Sequence, residues 1–371
     1  MAHAWIAGRA ATIEAAAAEA ARLLALSRLP AIVGLGTDIA GARAAIALAE
    51  RLGGVIDHMH SDAVLRDLDV MREAGMMVTT LNEARLRADT VVVIGAGPFT
   101  RPELTQDLLA APTAPEIADH VKRRVFWLCP GHSHAAVTPA NGDVRRIGRG
   151  ADELPAVLAA LRARAAGRRV NRSPIAAKTL DALAADLQAA RFGVAVWSAA
   201  ELDALVIEML CGVVDDLNAG TRFSGVNIPP PDNAAGVLQA CAWTTGWPMR
   251  TGFGRGRPEH DPWRFDATRL VGSREADCVL WISAYGQATP SWHADVPIIA
   301  MTAEDTRFRA PPRVHIEIGH PGVDHDAVEH LATTATLAPV AATEPRDTIS
   351  VAQAIAHIAS ALTGAGHADV H

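Results

Sequence analysis

The chain has 371 residues, half of them apolar, a formal net charge of −7 and no block of basic residues. That length holds two α/β domains or one large one, and the lack of a basic stripe argues against nucleic acid as a partner. The four cysteines, Cys129, Cys211, Cys241 and Cys278, lie far apart with no C-x-x-C pair. They build neither a disulfide framework nor a cysteine-held metal or iron–sulfur centre, and reduced thiols in a cytoplasmic protein are expected. The N-terminus shows no charged n-region before an apolar h-region, and no apolar run of about 18 residues occurs, so neither export nor membrane spanning is expected.

Along the chain, Thr12 reads as the N-cap of an alanine-rich helix over 13–27, stopped by Pro30. AIVGLG forms a short strand, TDIAGARAAIALAERLGG a helix ending at Gly53 and Gly54, and VID a second strand. This is a βαβ unit, which implies a parallel sheet. The turn Gly34-Leu35-Gly36-Thr37-Asp38 either holds an anion at the helix N-terminus or is a tight turn capped by Thr37 or Asp38. Its third glycine, Gly41, falls too late for a dinucleotide fingerprint.

Next comes Asp57-His58-Met59-His60-Ser61-Asp62. An H-x-H at a strand end can ligate zinc, because alternate strand residues point the same way. His132, His134, His293, His315, His320 and His325 could complete a ligand set; hydrogen-bonded or solvated histidines are the alternative. DTVVVIGAGP and VKRRVFWLCPGHS read as strands running into turns, closed by the helix DELPAVLAALRARAAG. A helix over 178–191, the strand GVAVWS and a helix over 201–211 follow, then a long irregular segment from Asn218. SREADCVLWISAYG, DVPIIAMT and RVHIEIG add strands, and a helix over about 348–362 comes last. Repeated βα units predict doubly wound parallel sheets with ligands or partners at the carboxyl ends of strands. The expected division is a discontinuous first α/β domain, 1–60 plus 170–371, with an inserted second α/β domain over 61–169.

The stretch 241–262, CAWTTGWPMRTGFGRGRPEHDP, stands apart. It sets Trp243, Trp247 and Phe253 among glycines and prolines with Arg250, Arg255 and Arg257, and Trp263 and Arg264 follow directly. So much Gly and Pro predicts an ordered loop or several tight turns. Arginines beside aromatics can bind carboxylate or phosphate, or stack on a partner; the other reading is a surface loop whose tryptophans fill gaps in the core.

Over almost its whole length the chain resembles the B subunits of the formylmethanofuran dehydrogenases, which are molybdopterin oxidoreductases related to formate dehydrogenase. Cys241, Trp243, Thr245, Gly246, Pro248, Phe253, Arg255, Gly256, Pro258 and Pro262 fall in that family's order and spacing, and LAERLGGVID and RADTVVVIGAGP agree as well. The resemblance implies two doubly wound, Rossmann-like α/β domains without the N-terminal iron–sulfur domain. It also implies lost redox equipment. Ala63 and Val64 stand where catalytic members have a metal-ligating Cys followed by His, and neither can ligate tungsten or molybdenum or move a proton. Ala96-Gly97-Pro98 and Cys129-Pro130-Gly131 replace the family's C-N-P and D-P-R pterin-binding turns.

That pattern looks like the redox-inactive branch of the family, the B subunits of formyltransferase/hydrolase complexes. The resemblance then implies a non-catalytic scaffold, with subunits A, C and D as partners and no nucleic acid or membrane. The complex converts formyl-tetrahydromethanopterin to formate through a furan-type carrier in methylotrophic formaldehyde oxidation. No catalytic, cofactor-binding or metal-binding residue is expected on this chain; zinc and the furan-type carrier are expected on partner subunits. Trp243, Trp247, Phe253, Arg255 and Arg257 are the interface or product-path candidates. The alternatives are an autonomous zinc-dependent hydrolase using His58 and His60, and a module binding a phosphate or pterin-like ligand at Gly34 to Asp38 or Gly95 to Pro98.

Overall fold

The computed structural model describes residues 3–110, 122–131, 144–292 and 295–365. His132, His134 and His293 lie outside the described residues. The chain divides into two compact units, Met1–Ser61 with Pro231–His330 and Leu337–His371, and Asp62–Pro230 with Leu331–Thr336. Both are mixed α/β with parallel strands at the centre.

In the first unit the strands lie in the order Glu259–His260, Thr251–Gly252, Val55–His58, Pro30–Gly36, Cys278–Ser283, Ile298–Thr302, Val314–Glu317, Ala4–Ile6 and Arg9–Ala11. The middle five run parallel, and the two at each edge join by antiparallel pairing. PAIVGLG and CVLWIS are buried at every residue, as unbroken apolar strands covered on both faces must be. Gly34 has φ +83°, and a Cβ there would lie 2.5 Å from the Ile282 carbonyl oxygen, so only glycine lets these two strands run side by side.

The helix Ile13–Leu26 is capped by Thr12, whose Oγ1 accepts from the Ala15 N–H. Its buried face of Ala16, Ala17, Ala20, Ala21 and Leu24 lets the C-terminal helix Val351–Ala365 pack closely against it. Asp38, rather than Thr37, caps the helix Ile39–Leu52, which ends on left-handed Gly53.

Among the described residues, the second unit holds five parallel strands in the order Val144–Ile147, Arg124–Leu128, Thr90–Ile94, Gly193–Trp197 and Phe223–Asn227. Its largest buried side chains, Trp127 and Trp197, each satisfy the indole N–H: Trp127 donates to the Gly95 carbonyl at 2.6 Å and Trp197 to Asp67 at 2.9 Å. Residues 170–230, expected in the first domain, belong here, because Gly193–Trp197 pairs with Thr90–Ile94 and Phe223–Asn227 pairs beyond it. A short apolar strand such as GVAVW carries no mark of which sheet it will join. The segment after Asn218, expected to be irregular, contains the strand Phe223–Asn227 and the helix Ala234–Thr245, and the helix expected over 201–211 runs Ala204–Asn218.

The stretch 241–262 is likewise more regular than its composition predicts. Its first residues are the last turn of the helix Ala234–Thr245, ended by left-handed Gly246. A two-stranded ribbon, Thr251–Gly252 against Glu259–His260, then adds to the edge of the sheet. Among the described residues no helix is long and apolar enough to cross a membrane.

Candidate functional site: one ribbon with an inward and an outward side

The ribbon pairs Thr251 with Ile56, which brings Arg250 beside Asp57 at the carboxyl end of Val55–His58. The Asp57 carboxylate is buried; it accepts from Ser61 Oγ at 2.5 Å and from the Ala267 N–H at 2.9 Å. Arg250 Nε lies 3.5 Å from Asp57 Oδ2, while its Nη2 pairs with Asp266 at 2.6 Å and its Nη1 donates to the Pro262 carbonyl at 2.9 Å. Burial pushes the Asp57 carboxyl up to about 6, against the downward pull of Arg250, Ser61 and the Ala267 N–H.

His58 and His60 come together with Asp232. His58 Nδ1 accepts the His60 N–H at 3.0 Å, and its Nε2–H donates to the Asp232 carbonyl at 3.1 Å. His60 Nε2 lies 2.8 Å from the Asp232 carboxylate. This network makes His58 a neutral imidazole with both nitrogens engaged, and burial, helped by His60, pushes it down to about 4. An imidazole used in this way has no lone pair left for zinc. Among the described residues no group of three His, Cys, Asp or Glu is placed to hold a metal ion. His315 accepts from or donates to Thr302, and His320 and His325 turn to neighbouring backbone carbonyls.

At the two turns weighed as ligand sites, groups of the chain itself engage part of the backbone. Asp38 accepts the Gly41 N–H at 2.9 Å, so the helix end next to Gly34 to Asp38 already holds a carboxylate. At Gly95 the N–H donates to the Leu128 carbonyl at 3.0 Å and the carbonyl accepts the Trp127 indole N–H. Ala63 and Val64 are buried, Ala63 within the apolar core of the second unit. A methyl and an isopropyl group offer no donor atom, so the residues present do not fit a tungsten or molybdenum centre at that position.

The outward side is built differently. Arg255, Arg257 and Arg264 surround one carboxylate, Glu259, at 3.3, 3.5 and 3.9 Å. Trp247, half-exposed, stacks on His260 with ring centroids 6.0 Å apart. Trp263 is mostly exposed, with the Arg269 guanidinium 4.5 Å over its ring. Asp261 accepts the N–H groups of Trp263 and Arg264, which hold its carboxyl below the usual range. The ribbon presents an open, shallow concavity of about 420 Å³ lined by Trp247 and the three arginines.

Trp243 is exposed at the end of its helix, but Phe253, expected on the same face, is buried; its N–H donates to the Gly54 carbonyl. An aromatic residue flanked by glycines in a tight turn folds under the ribbon as readily as over it. Sequence reasoning passed over Glu259 and Asp232. Glu259 had a signal in being the one acid inside RGRPEHD that falls between arginine and histidine; Asp232 had none, since it reaches His60 only through tertiary folding.

The fold and this site define a mixed α/β protein with parallel sheets and an exposed Trp–Arg face. No family model matches the chain. It is 35% identical over 323 residues to the B subunit of the formyltransferase/hydrolase complex Fhc of Methylorubrum extorquens, covering 86% of this chain and 85% of that protein. It is 25% identical over 329 residues to the B subunit of the tungsten-containing formylmethanofuran dehydrogenase 2 of Methanocaldococcus jannaschii, covering 79% of this chain and 70% of that one. Its structure matches a chain in the crystal structure of the formyltransferase/hydrolase complex FhcABCD from Methylorubrum extorquens in complex with methylofuran, with a TM-score of 0.86 and 33% identity over 98% of this chain and 99% of that chain. The chain belongs to the family of formyltransferase/hydrolase complex B subunits.

Proposed function

We propose that this chain is a non-catalytic scaffold of a formyltransferase/hydrolase complex, assembling with subunits A, C and D in the cytoplasm. The complex takes formyl groups from formyl-tetrahydromethanopterin to formate through a furan-type carrier. The observation that carries this reading is the near end-to-end structural likeness to a chain of the FhcABCD complex. The aliphatic pair Ala63 and Val64 and the closed hydrogen-bond network of His58 support a chain without a reaction centre of its own. Numbered in chain order, the parallel strands lie 2-1-3-4-5 in the first unit and 3-2-1-4-5 in the second. Both are orders of doubly wound sheets, which supports two Rossmann-like domains, the second inserted in the first with its far boundary near Pro230.

Trp243, Trp247, Arg255 and Arg257 are the proposed contacts to partner subunits. Tryptophan and arginine are the residues that most often carry interface energy, and these four are exposed. The test is native purification of the chain from its own cell, with intact mass and metal content measured on one sample. A hetero-oligomer free of molybdenum and tungsten, whose zinc follows a partner subunit, is the expected result. A lone homo-oligomer carrying stoichiometric zinc of its own overturns the proposal. Trp243→Ala and Arg255→Ala should weaken co-purification without altering the chemistry of the complex that still forms.

A further inference from the structure

The outward face gathers more positive charge than it neutralises. Arg255, Arg257 and Arg264 share Glu259 at 3.3 to 3.9 Å, longer than the roughly 2.7–2.9 Å of a strong charge-assisted bond. Glu259 is mostly covered, at 22% side-chain exposure, while its three partners are at least half exposed. Asp261, the other carboxylate at the concavity, is engaged by the N–H groups of Trp263 and Arg264. This local surplus sits on a chain whose net charge is −7, so it is a feature of the ribbon and not of the whole surface. Trp247 and Trp263 flank it as stiff apolar anchors.

We propose that this face docks an acidic segment of a partner subunit, whose Asp or Glu carboxylates take the arginines that Glu259 holds weakly. The inference rests on the scaffold reading above and gives its interface a chemistry. Glu259 is then a placeholder. It keeps three like charges together in the free chain and competes with the incoming carboxylates. Guanidinium forks suit this exchange, because each can accept a carboxylate through two parallel N–H donors.

The test mixes the full-length chain with purified subunits A, C and D and measures assembly at low and high salt. Arg255→Glu combined with Arg257→Glu should lower affinity about tenfold or more at low salt and flatten the salt dependence. Glu259→Gln should tighten binding, because it removes the competitor. Thermal melting of each variant reports whether it has folded; if the double reversal has not, Arg255→Gln with Arg257→Gln must show the same loss. Should the wild type bind none of the three subunits, the scaffold reading itself fails. Assembly by the wild type with unchanged affinity and salt slope in the double variant overturns this inference alone. Weaker binding by Glu259→Gln overturns the placeholder role.

Discussion

Arg250 and Arg255 lie a few residues apart in one Gly- and Pro-rich stretch, yet the fold gives them opposite roles. Arg250 has a side chain 12% exposed and sits between Asp57 and Asp266; Arg255 is 64% exposed and Arg257 73%, around a single glutamate. The ribbon makes the division. Its inner strand pairs with Val55 and Ile56 and turns Arg250 into the core, while its outer strand and connecting turn carry Arg255 and Arg257 outward. One charge is held between two carboxylates inside the fold, and the others stand at the surface, where the proposed interface would use them. The same residue type therefore carries no fixed meaning until its neighbours are placed.

The largest effect should come from the inward side. Arg250→Ala leaves the buried Asp57 carboxylate without its cation, a change that typically costs about 3–5 kcal/mol. Urea denaturation at neutral pH measures it, and a loss below about 1 kcal/mol would break the distinction between the two arginines. Without Arg250 the Asp57 carboxyl should move further up, so the variant should recover part of its stability as the pH is lowered.

His58 sharpens the inward side next. Its folded-state value of about 4 lies below that of an unfolded histidine, so its contribution is present above pH 6.5 and is lost as pH falls toward 4. Asp57, raised to about 6, acts oppositely: its contribution is complete below the unfolded carboxyl value of 3.8 and is lost as pH rises through 6. Between pH 6 and 4 the two largely offset each other. In His58→Gln only the Asp57 effect remains. The stability difference between variant and wild type should shift in the variant's favour by about 3 kcal/mol from pH 6.5 to 4. Parallel pH curves for the two proteins would show that His58 takes up its proton freely in the fold.

Gly252→Ala should follow at about 1–3 kcal/mol, by overpacking. A Cβ at Gly252 would meet the Phe265 ring at 2.4 Å, in the strand that holds Arg250 in place. A denaturation midpoint equal to that of the wild type would mean the ribbon is looser than its contacts require.

The parallel core was legible in the sequence because its strands announce themselves. PAIVGLG, TVVVI and CVLWIS are unbroken apolar runs, and Thr12 is the cap its position suggests. What remained hidden was tertiary. GVAVW could not show which sheet it joins, CAWTT was masked as a helix end by the glycines after it, and Phe253 and Arg250 look no different in sequence from the exposed residues around them. The site was half legible for the same reason. Its tryptophans and arginines could be picked out by residue type, but Asp232 meets His60, and Glu259 its three arginines, only once the chain has folded.

The smallest expected effect is the most discriminating. Arg255→Ala and Arg257→Ala remove long, solvent-screened pairs to Glu259, and exposed ion pairs are worth about 0–1 kcal/mol. Each variant should therefore keep its stability within about 0.5 kcal/mol of the wild type. The result matters because the proposed interface assigns these residues to association only, so stability must stay still while co-assembly falls. If Arg255→Ala lowers stability as much as Arg250→Ala does, the outward arginines are structural after all, and the division drawn along the ribbon disappears.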